Sequence, residues 1–190
     1  MLVFCGSSPG RVPAYVEAGT ALGTELAAQG LGLVYGGAQV GVMGAVADAV
    51  LAQGGEVIGV IPRMLVDREV AHAGLKDLRV VESMHERKAL MESLADAVIA
   101  LPGGFGTIEE LFEILTWAQL GLHSKPVGLL NVAGYWDRLL AFTDHMVDER
   151  FLHAQQRDSL LVADSPAALL ERMGDYRPVV LDKWLDRAQT

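Results

Sequence analysis

Residues 103–110 read GGFGTIEE and stand between an apolar run and a segment of helical periodicity. Glycines let bare backbone N–H groups approach an anion, the N-terminus of a helix adds a positive partial charge, and Thr107 offers a hydroxyl. The segment lacks the G-x-x-x-x-G-K-[ST] pattern of a P-loop, and Glu109 stands where a dinucleotide fingerprint has its third glycine. A glutamate there would repel a pyrophosphate, so the segment predicts a mononucleotide site in preference to an NAD site.

The same segment also has a purely structural interpretation. Thr107 and Glu110 are spaced as a capping box, in which two residues satisfy each other's unpaired N–H groups at the start of a helix. Glu109 and Glu113 lie one turn apart with Thr116 close behind, and such a polar face is often simply solvated. Both interpretations stand at this point.

A second candidate lies at 83–94, where the sequence reads SMHERKALMESL. Ser83 and Glu86 are spaced as a capping box and predict the start of a helix. At about 100° per residue, Arg87 falls inside the apolar stripe that begins at Met84. A guanidinium keeps its charge there, so Arg87 needs a carboxylate, phosphate or nucleobase acceptor. The alternatives are a side chain that reaches out from the core edge, or a structural ion pair.

Other kinds of chemistry find little support in the sequence. The histidines do not have zinc-ligand spacing, and HERKA is not the H-E-x-x-H motif, so no metal is expected. Ser7 and Ser8 do not form the G-x-S-x-G elbow of a serine hydrolase. Cys5 is most simply a buried small apolar residue, and as the one cysteine it excludes an intrachain disulfide.

The elements that must position these residues are short runs rich in Val, Ile and Leu, alternating with longer segments of helical period. Strands are predicted at 2–5, 31–35, 57–61, 78–81, 97–101 and 126–130, and a last strand and helix after Ser159. Between them, helices are predicted from after Pro13 to about 28, at 42–53, at 84–94, from the 103–110 turn to about 120, and from Tyr135, with an irregular connection at 62–76. The alternation predicts an α/β fold, a single-domain Rossmann-like doubly wound parallel sheet with helices on both faces.

Glycines gather at three predicted strand exits, within 6–10, 36–41 and 103–106. In open parallel sheets, ligands bind beyond the carboxyl ends of the strands, where the strand order reverses. One glycine turn means little, but three in one chain predict a phosphate or nucleotide site.

Composition narrows the class of protein. The chain has 190 residues, of which 51% are hydrophobic, and a formal net charge of −9. One domain over 1–190 with a polar tail at 174–190 is expected, and the acidity opposes binding to nucleic acid or an anionic membrane. The N-terminus does not resemble a secretory signal, and no apolar stretch is long enough for a membrane helix. A cytoplasmic protein is therefore expected.

Two motifs together, MHERKA at 84–89 and PGGFGTIEE at 102–110, resemble the LOG (Lonely Guy) family. These are cytokinin riboside 5′-monophosphate phosphoribohydrolases, also long labelled lysine decarboxylase-like proteins. The segments at 4–10, 35–44 and 116–131 are similar to the family as well, so the resemblance covers roughly residues 2–173. One departure is Ala38, where many members have a third consecutive glycine.

The resemblance implies hydrolysis of the N-glycosidic bond of a purine nucleoside 5′-monophosphate, which releases the free base and ribose 5-phosphate. It implies Arg87 and Glu110 as the catalytic pair, a homodimer, and no cofactor. The lysine decarboxylase label would require pyridoxal phosphate and an activated lysine, and only Lys88 lies near the motifs. The positions matched to substrate binding, some of them weaker matches, are Ser8, Gly36, Gly37, Glu69, Met84, Lys88, Gly103, Gly104, Phe105, Gly106, Thr107, Ile108, Glu109 and Thr116.

Charge development in this reaction fits the residue types. Positive charge grows on the ribose and negative charge on the departing purine. We expect Glu110 to stabilise the ribose and to orient or deprotonate water, and Arg87 to polarise the base or anchor the nucleotide. Two alternatives stay open: a general AMP or purine nucleotide nucleosidase without a cytokinin role, and a nucleotide-binding module without catalysis.

Overall fold

The computed structural model describes residues 1–66 and 71–178. Within these ranges seven strands form one sheet, and every pairing between neighbouring strands is parallel. The strands are β1 (Leu2–Phe4), β2 (Leu33–Tyr35), β3 (Val57–Pro62), β4 (Asp77–Val81), β5 (Val98–Ala100), β6 (Val127–Leu130) and β7 (Leu160–Ala163). The predicted strands are thus confirmed, each to within about two residues at its ends.

The helices alternate with these strands. They are α1 (Ala14–Ala28), α2 (Gly41–Ala52), α3 (Arg63–Val66), α4 (Met84–Ser93), α5 (Phe105–Gln119), α6 (Asp137–Asp148), α7 (Ala154–Asp158) and α8 (Pro166–Gly174). The helix predicted from Tyr135 begins at Asp137, because a 3-10 turn at Val132–Gly134 comes first. The sequence prediction missed α7 and the single turn of α3, which are too short to show a period.

The strand order is β4-β3-β2-β1-β5-β6-β7. The chain builds outwards from β1 to β4 and then returns to place β5 on the other side of β1. The order of the strands therefore reverses between β1 and β5, and their carboxyl ends define the crevice where a ligand is expected.

Helices cover both faces of the sheet, as predicted. The side chain of Val3 packs with residues of α1, α2 and α8 on one face. Leu2 and Phe4 point to the opposite face, where they pack with residues of α4, α5 and α6. This alternation buries β1 completely and makes it the rigid centre of the domain.

Two predicted segments reach beyond the described residues. The connection at 62–76 includes α3, and its residues 67–70, Glu69 among them, lie outside the described ranges. Of the tail predicted at 174–190, residues 179–190 also lie outside them. In the part of the chain that is described, no helix combines the length and apolar character that crossing a membrane requires.

Candidate active site

The exits of β1 and β5 touch each other at the point where the strand order reverses. The backbone N–H of Gly6 donates to the carbonyl of Pro102 over 3.1 Å. A Cβ on Gly6 would lie 3.2 Å from the Cα of Gly103, so a larger residue at position 6 would push these two loops apart by a few tenths of an ångström. A cavity of about 290 Å³ opens beside this contact.

Arg87 of α4 forms one wall of the cavity and is held by the ends of two strands. Its Nε donates to the carbonyl of Val60 over 3.0 Å, and its Nη2 donates to the carbonyl of Gly36 over 3.2 Å. The residue is only 7% exposed. The remaining nitrogen, Nη1, lies 3.9 Å from the sulfur of Met84 and 4.0 Å from Oε1 of Glu110. Nη1 is thus the guanidinium nitrogen that faces the carboxylate.

Gly36 makes room for this arginine. A Cβ at that position would lie 2.1 Å from Nη2 of Arg87 and 2.5 Å from Cε of Met43. No heavy atoms approach so closely without displacement, so only glycine allows the guanidinium to reach the strand end. The glycine turn predicted from the sequence therefore has a steric cause within the site.

Glu110 of α5 stands opposite Arg87 and is 12% exposed. Burial raises the pKa of Glu110 to about 7, against the opposing effects of the positive charges on Arg87 and Lys88. Desolvation outweighs the ion pair because the two charged groups are 4.0 Å apart, beyond hydrogen-bond distance. A carboxyl group with this pKa exchanges a proton near neutral pH, as a general acid or base requires.

The N-terminus of α5 borders the same cavity. The helix begins at Phe105 and its N-cap is Gly104, whose absent side chain leaves the first N–H groups of the helix without a side-chain cap. Among the described residues, nothing lies within 4 Å of a Cβ built on Gly104 or Gly106, so this part of the chain leaves space beside both glycines. The side chain of Phe105 is 93% exposed. These features leave a bare, partly positive helix end for an anion.

The two capping boxes considered from the sequence have different outcomes. The hydroxyl of Ser83 accepts from the N–H of Glu86 over 3.1 Å, while the Glu86 carboxylate accepts from the N–H of Glu82. This cap is confirmed, with its second half displaced by one residue. The box at Thr107 and Glu110 is wrong, because the helix has already begun two residues before Thr107.

Lys88 points away from Arg87, towards α5. Its Nζ lies 2.5 Å from Oε1 of Glu109 and 3.0 Å from Oε1 of Glu113. Burial by itself lowers the pKa of Lys88, but the hydrogen bonds to the two carboxylates outweigh it and hold that pKa above its usual value. The face of Glu109 and Glu113, which the sequence left open as merely solvated, thus binds a buried cation.

Not every residue matched by resemblance lines the cavity. Those that do are Gly36, Arg87, Gly104, Phe105, Gly106, Thr107 and Glu110. The others lie outside its lining or outside the described residues: Ser8, Gly37, Glu69, Met84, Lys88, Gly103, Ile108, Glu109 and Thr116.

Of the α5 residues matched by resemblance, Thr116 lies farthest along the helix from the cavity. It is nine residues after Thr107, about 14 Å along a helix axis. Its hydroxyl donates to the carbonyl of Phe112 over 2.6 Å. Thr116 lines a second, larger groove of about 700 Å³ at the other end of the helix, together with Leu120 and Leu122.

Sequence reasoning missed several residues of the site. Ser7, Met43 and Met91 line the cavity, as does Cys5, whose thiol has a pKa raised by burial. Only Ser7, beside the Ser8 match, carried a signal in the sequence. Among residues 1–66 and 71–178, no group of three or more His, Cys, Asp or Glu side chains is placed to hold a metal ion.

Solved structures share this fold. The molybdenum cofactor binding protein from Rippkaea orientalis has a TM-score of 0.69 and 22% identity, over 92% of this chain and 94% of that one. The Moco carrier protein from Chlamydomonas reinhardtii has a TM-score of 0.69 and 20% identity, with the same coverage. At these identities the likeness concerns the fold.

Sequence comparison identifies much closer relatives. A family model described as "Possible lysine decarboxylase" matches residues 43–173. The cytokinin riboside 5′-monophosphate phosphoribohydrolase LOG7 of Arabidopsis thaliana is 50% identical over 93% of this chain and 81% of its own length. The probable phosphoribohydrolase LOGL6 of Oryza sativa subsp. japonica is also 50% identical, over 93% of this chain and 70% of its own. The chain therefore belongs to the LOG family.

Proposed function

We propose that this protein hydrolyses the N-glycosidic bond of cytokinin riboside 5′-monophosphates, and of AMP, to the free base and ribose 5-phosphate. The observation that carries the proposal is the Glu110 carboxyl group, whose pKa is raised by burial to about 7, facing Arg87 in a cavity bordered by a bare helix N-terminus. The activity named for relatives at about 50% identity supports it.

Glu110 serves the ribose side of the reaction. As the glycosidic bond breaks, positive charge develops on the sugar, and a nearby carboxylate stabilises it. The same carboxylate orients water and accepts its proton, for which a pKa near the working pH is the most effective. Activity should therefore rise as pH increases through about 7, where Glu110 loses its proton.

Arg87 serves the base or the nucleotide. Two of its nitrogens are fixed by backbone carbonyls, and the third, Nη1, faces Glu110 across the cavity. A guanidinium fixed in this way needs no reorganisation when negative charge develops on the leaving purine. Its anchoring also keeps it from closing onto Glu110 and filling the space that the substrate requires.

In this proposal, the 5′-phosphate of the substrate binds at the start of α5. Gly104 and Gly106 leave the backbone open, and the helix N-terminus supplies N–H donors and a favourable partial charge. Binding energy from a phosphate remote from the broken bond helps to position the ribose, which accounts for the use of a nucleotide in preference to its nucleoside.

The environment of Lys88 does not suit the decarboxylase activity that the description of the family model suggests. A lysine that forms a Schiff base with pyridoxal phosphate must be able to lose its proton. The Nζ of Lys88 is hydrogen-bonded to two carboxylates, and its pKa is held above the usual value. Its environment therefore favours the permanently charged form.

The decisive experiment incubates the purified protein with AMP and with isopentenyladenosine monophosphate and separates the products by chromatography. Release of free base from either supports the proposal, and the ratio of the two rates distinguishes a cytokinin-specific enzyme from a general nucleotide nucleosidase. Binding of both nucleotides without release would identify a binding module. The Glu110→Gln variant should turn over about 10²-fold more slowly, whereas Glu171→Gln, an exposed carboxylate of α8, should match the wild type.

We also propose that the protein is a homodimer, with the 700 Å³ groove as the interface. Leu120 and Leu122, which line it, are 53% and 68% exposed in the single chain. Light scattering should give twice the mass of the chain, and Leu122→Glu should halve that mass. A wild-type monomer would contradict the proposal.

The remaining expectations concern the binding partners and the cellular compartment of the protein. The net charge of −9 opposes a nucleic acid or anionic membrane partner, whereas the proposal of a purine nucleoside 5′-monophosphate as the substrate rests on the site. The one cysteine, Cys5, is buried, which supports a reducing, cytoplasmic compartment. Fractionation of cells with an antibody to the chain tests the latter.

A further inference from the structure

The ion pairs of Lys88 connect two helices that carry the proposed catalytic pair. Lys88 is 8% exposed in its side chain, and Glu113 is 23% exposed, so the contact between them is largely shielded from water. Glu109, the other partner, is 55% exposed. A shielded ion pair is screened less by salt and fixes geometry better than one on the surface. Of the two carboxylates that bind Lys88, that of Glu113 is therefore better shielded from water.

These contacts lie directly beside the catalytic pair in both helices. Arg87 and Lys88 are adjacent in α4, and Glu109 and Glu110 are adjacent in α5. Arg87 is fixed to the strand ends, whereas Lys88 is fixed to α5. Consecutive residues of one short helix thus connect the sheet to the helix that carries the acid.

We propose that Glu113, together with Glu109, holds Lys88 as a brace between α4 and α5, and that this brace fixes Arg87 opposite Glu110. Glu113 and Lys88 are then positioning residues, and the ammonium of Lys88 acts through the carboxylates without touching the substrate. The inference rests on the proposed nucleotide hydrolysis, since its effect is measured on that reaction. Misplacement of catalytic groups by about 1 Å is enough to reduce turnover up to 10²-fold.

The brace also sets the charge around Glu110. Among the described residues, the charged and titratable groups that influence this carboxyl, or are influenced by it, are Arg87 and Lys88 of α4, Glu109 and Glu113 of α5, and Cys5 after β1. Glu113 raises the pKa of Glu110, and Lys88 lowers it. Removing the charge of Glu113 should therefore lower the pH at which activity rises, and removing the charge of Lys88 should raise it.

The experiment compares Glu113→Gln, Lys88→Met and Lys88→Arg in the release of adenine from AMP between pH 5 and pH 9. Glu92→Gln is the matched control, because Glu92 also lies on α4 and pairs with a partly buried lysine, Lys125, over 2.5 Å. Unfolding midpoints establish that each variant is folded at the assay temperature, and Lys88→Arg keeps the charge where Lys88→Met is too unstable.

For Glu113→Gln we expect kcat to fall about threefold to tenfold with KM within about twofold of the wild type. The acid limb of kcat/KM should move down by about half a pH unit. Lys88→Met should lower kcat more than Glu113→Gln does and should move the acid limb of kcat/KM to higher pH. Lys88→Arg should keep most of the wild-type kcat. Glu92→Gln should change neither kcat nor the position of the acid limb.

Three results would overturn the inference. An acid limb that does not move in either variant would leave only a general structural role for the cluster. A large rise in KM for Lys88→Met with kcat unchanged would mean that the ammonium binds the nucleotide directly. Wild-type kinetics in Glu113→Gln would exclude the brace. A wild-type protein that releases no base from AMP or from isopentenyladenosine monophosphate would instead refute the proposed function on which the inference rests.

Discussion

The free energy of unfolding should depend on pH through Glu110. Burial raises the pKa of Glu110 from an ordinary value of 4.5 to about 7. Between these two values the folded protein binds more protons than the unfolded chain, so the free energy of unfolding falls as pH rises. At about 1.4 kcal/mol for each pKa unit, the ionised carboxylate costs about 3 kcal/mol once the pH is well above 7.

The Glu110→Gln substitution removes the ionisable group and keeps the shape of the side chain. Its direct effect on stability at any one pH includes changed hydrogen bonds, but these do not vary with pH. Part of the cost of ionisation is already present at pH 5, since the unfolded carboxyl titrates near 4.5. The stability of the variant relative to the wild type should therefore improve by about 2 kcal/mol between pH 5 and pH 8.

Urea unfolding of both proteins at pH 5 and pH 8 measures this change directly. Glu171→Gln, at an exposed position of α8, is the control and should keep the same difference from the wild type at both pH values. If the difference for Glu110→Gln changed by less than about 0.5 kcal/mol, Glu110 would not be protonated in the folded protein in this range. The explanation of its pKa by burial would then be refuted.

Four further substitutions test which residues affect activity, stability or both. Gly36→Ala places a Cβ 2.1 Å from Nη2 of Arg87, so we expect turnover to fall by about 10²-fold and the unfolding midpoint to drop. The Cβ of Gly104→Ala would meet none of the described residues within 4 Å, so the unfolding midpoint should stay the same while KM for AMP rises several-fold. His72 is 5% exposed and hydrogen-bonded to Asp48 over 2.9 Å, so His72→Leu should lower the free energy of urea unfolding by about 1–3 kcal/mol. Asp48→Asn should lower it less, because Asp48 is 65% exposed.

The sheet could be predicted because its inner strands, such as β1, β2, β5 and β6, are buried on both faces. A strand such as β6 then reads as a continuous apolar run, and the glycines that follow β1, β2 and β5 mark where each run must turn. Apolar runs and glycine turns are formed by residues that are adjacent in the sequence, so they can be recognised without the structure. The elements that were missed, α3 and α7, are of four and five residues, too short for a helical period to appear.

The partners of the charged residues could not be predicted in the same way. Arg87 was expected to need an acceptor, and the structure supplies two backbone carbonyls from strands 27 and 51 residues earlier in the chain, in addition to Glu110. Lys88 reaches α5 over 21 and 25 residues. Distances of this kind depend on how the helices pack across the sheet, which residue spacing along one helix does not determine. The wrong capping box at Thr107 has a local cause, because the true N-cap, Gly104, has no side chain by which the sequence could mark the start of the helix.

The glycines around the cavity serve two opposite purposes, and the space around each one distinguishes them. A Cβ on Gly36 or Gly103 would collide with the protein's own atoms at 2.1 Å, so these positions are glycine because of packing. A Cβ on Gly104 or Gly106 would meet no atom of residues 1–66 or 71–178 within 4 Å, and neither residue has a positive φ. Packing and backbone strain therefore do not require glycine there. The open space at a helix N-terminus suits an anion, which supports the proposed position of the 5′-phosphate of the nucleotide.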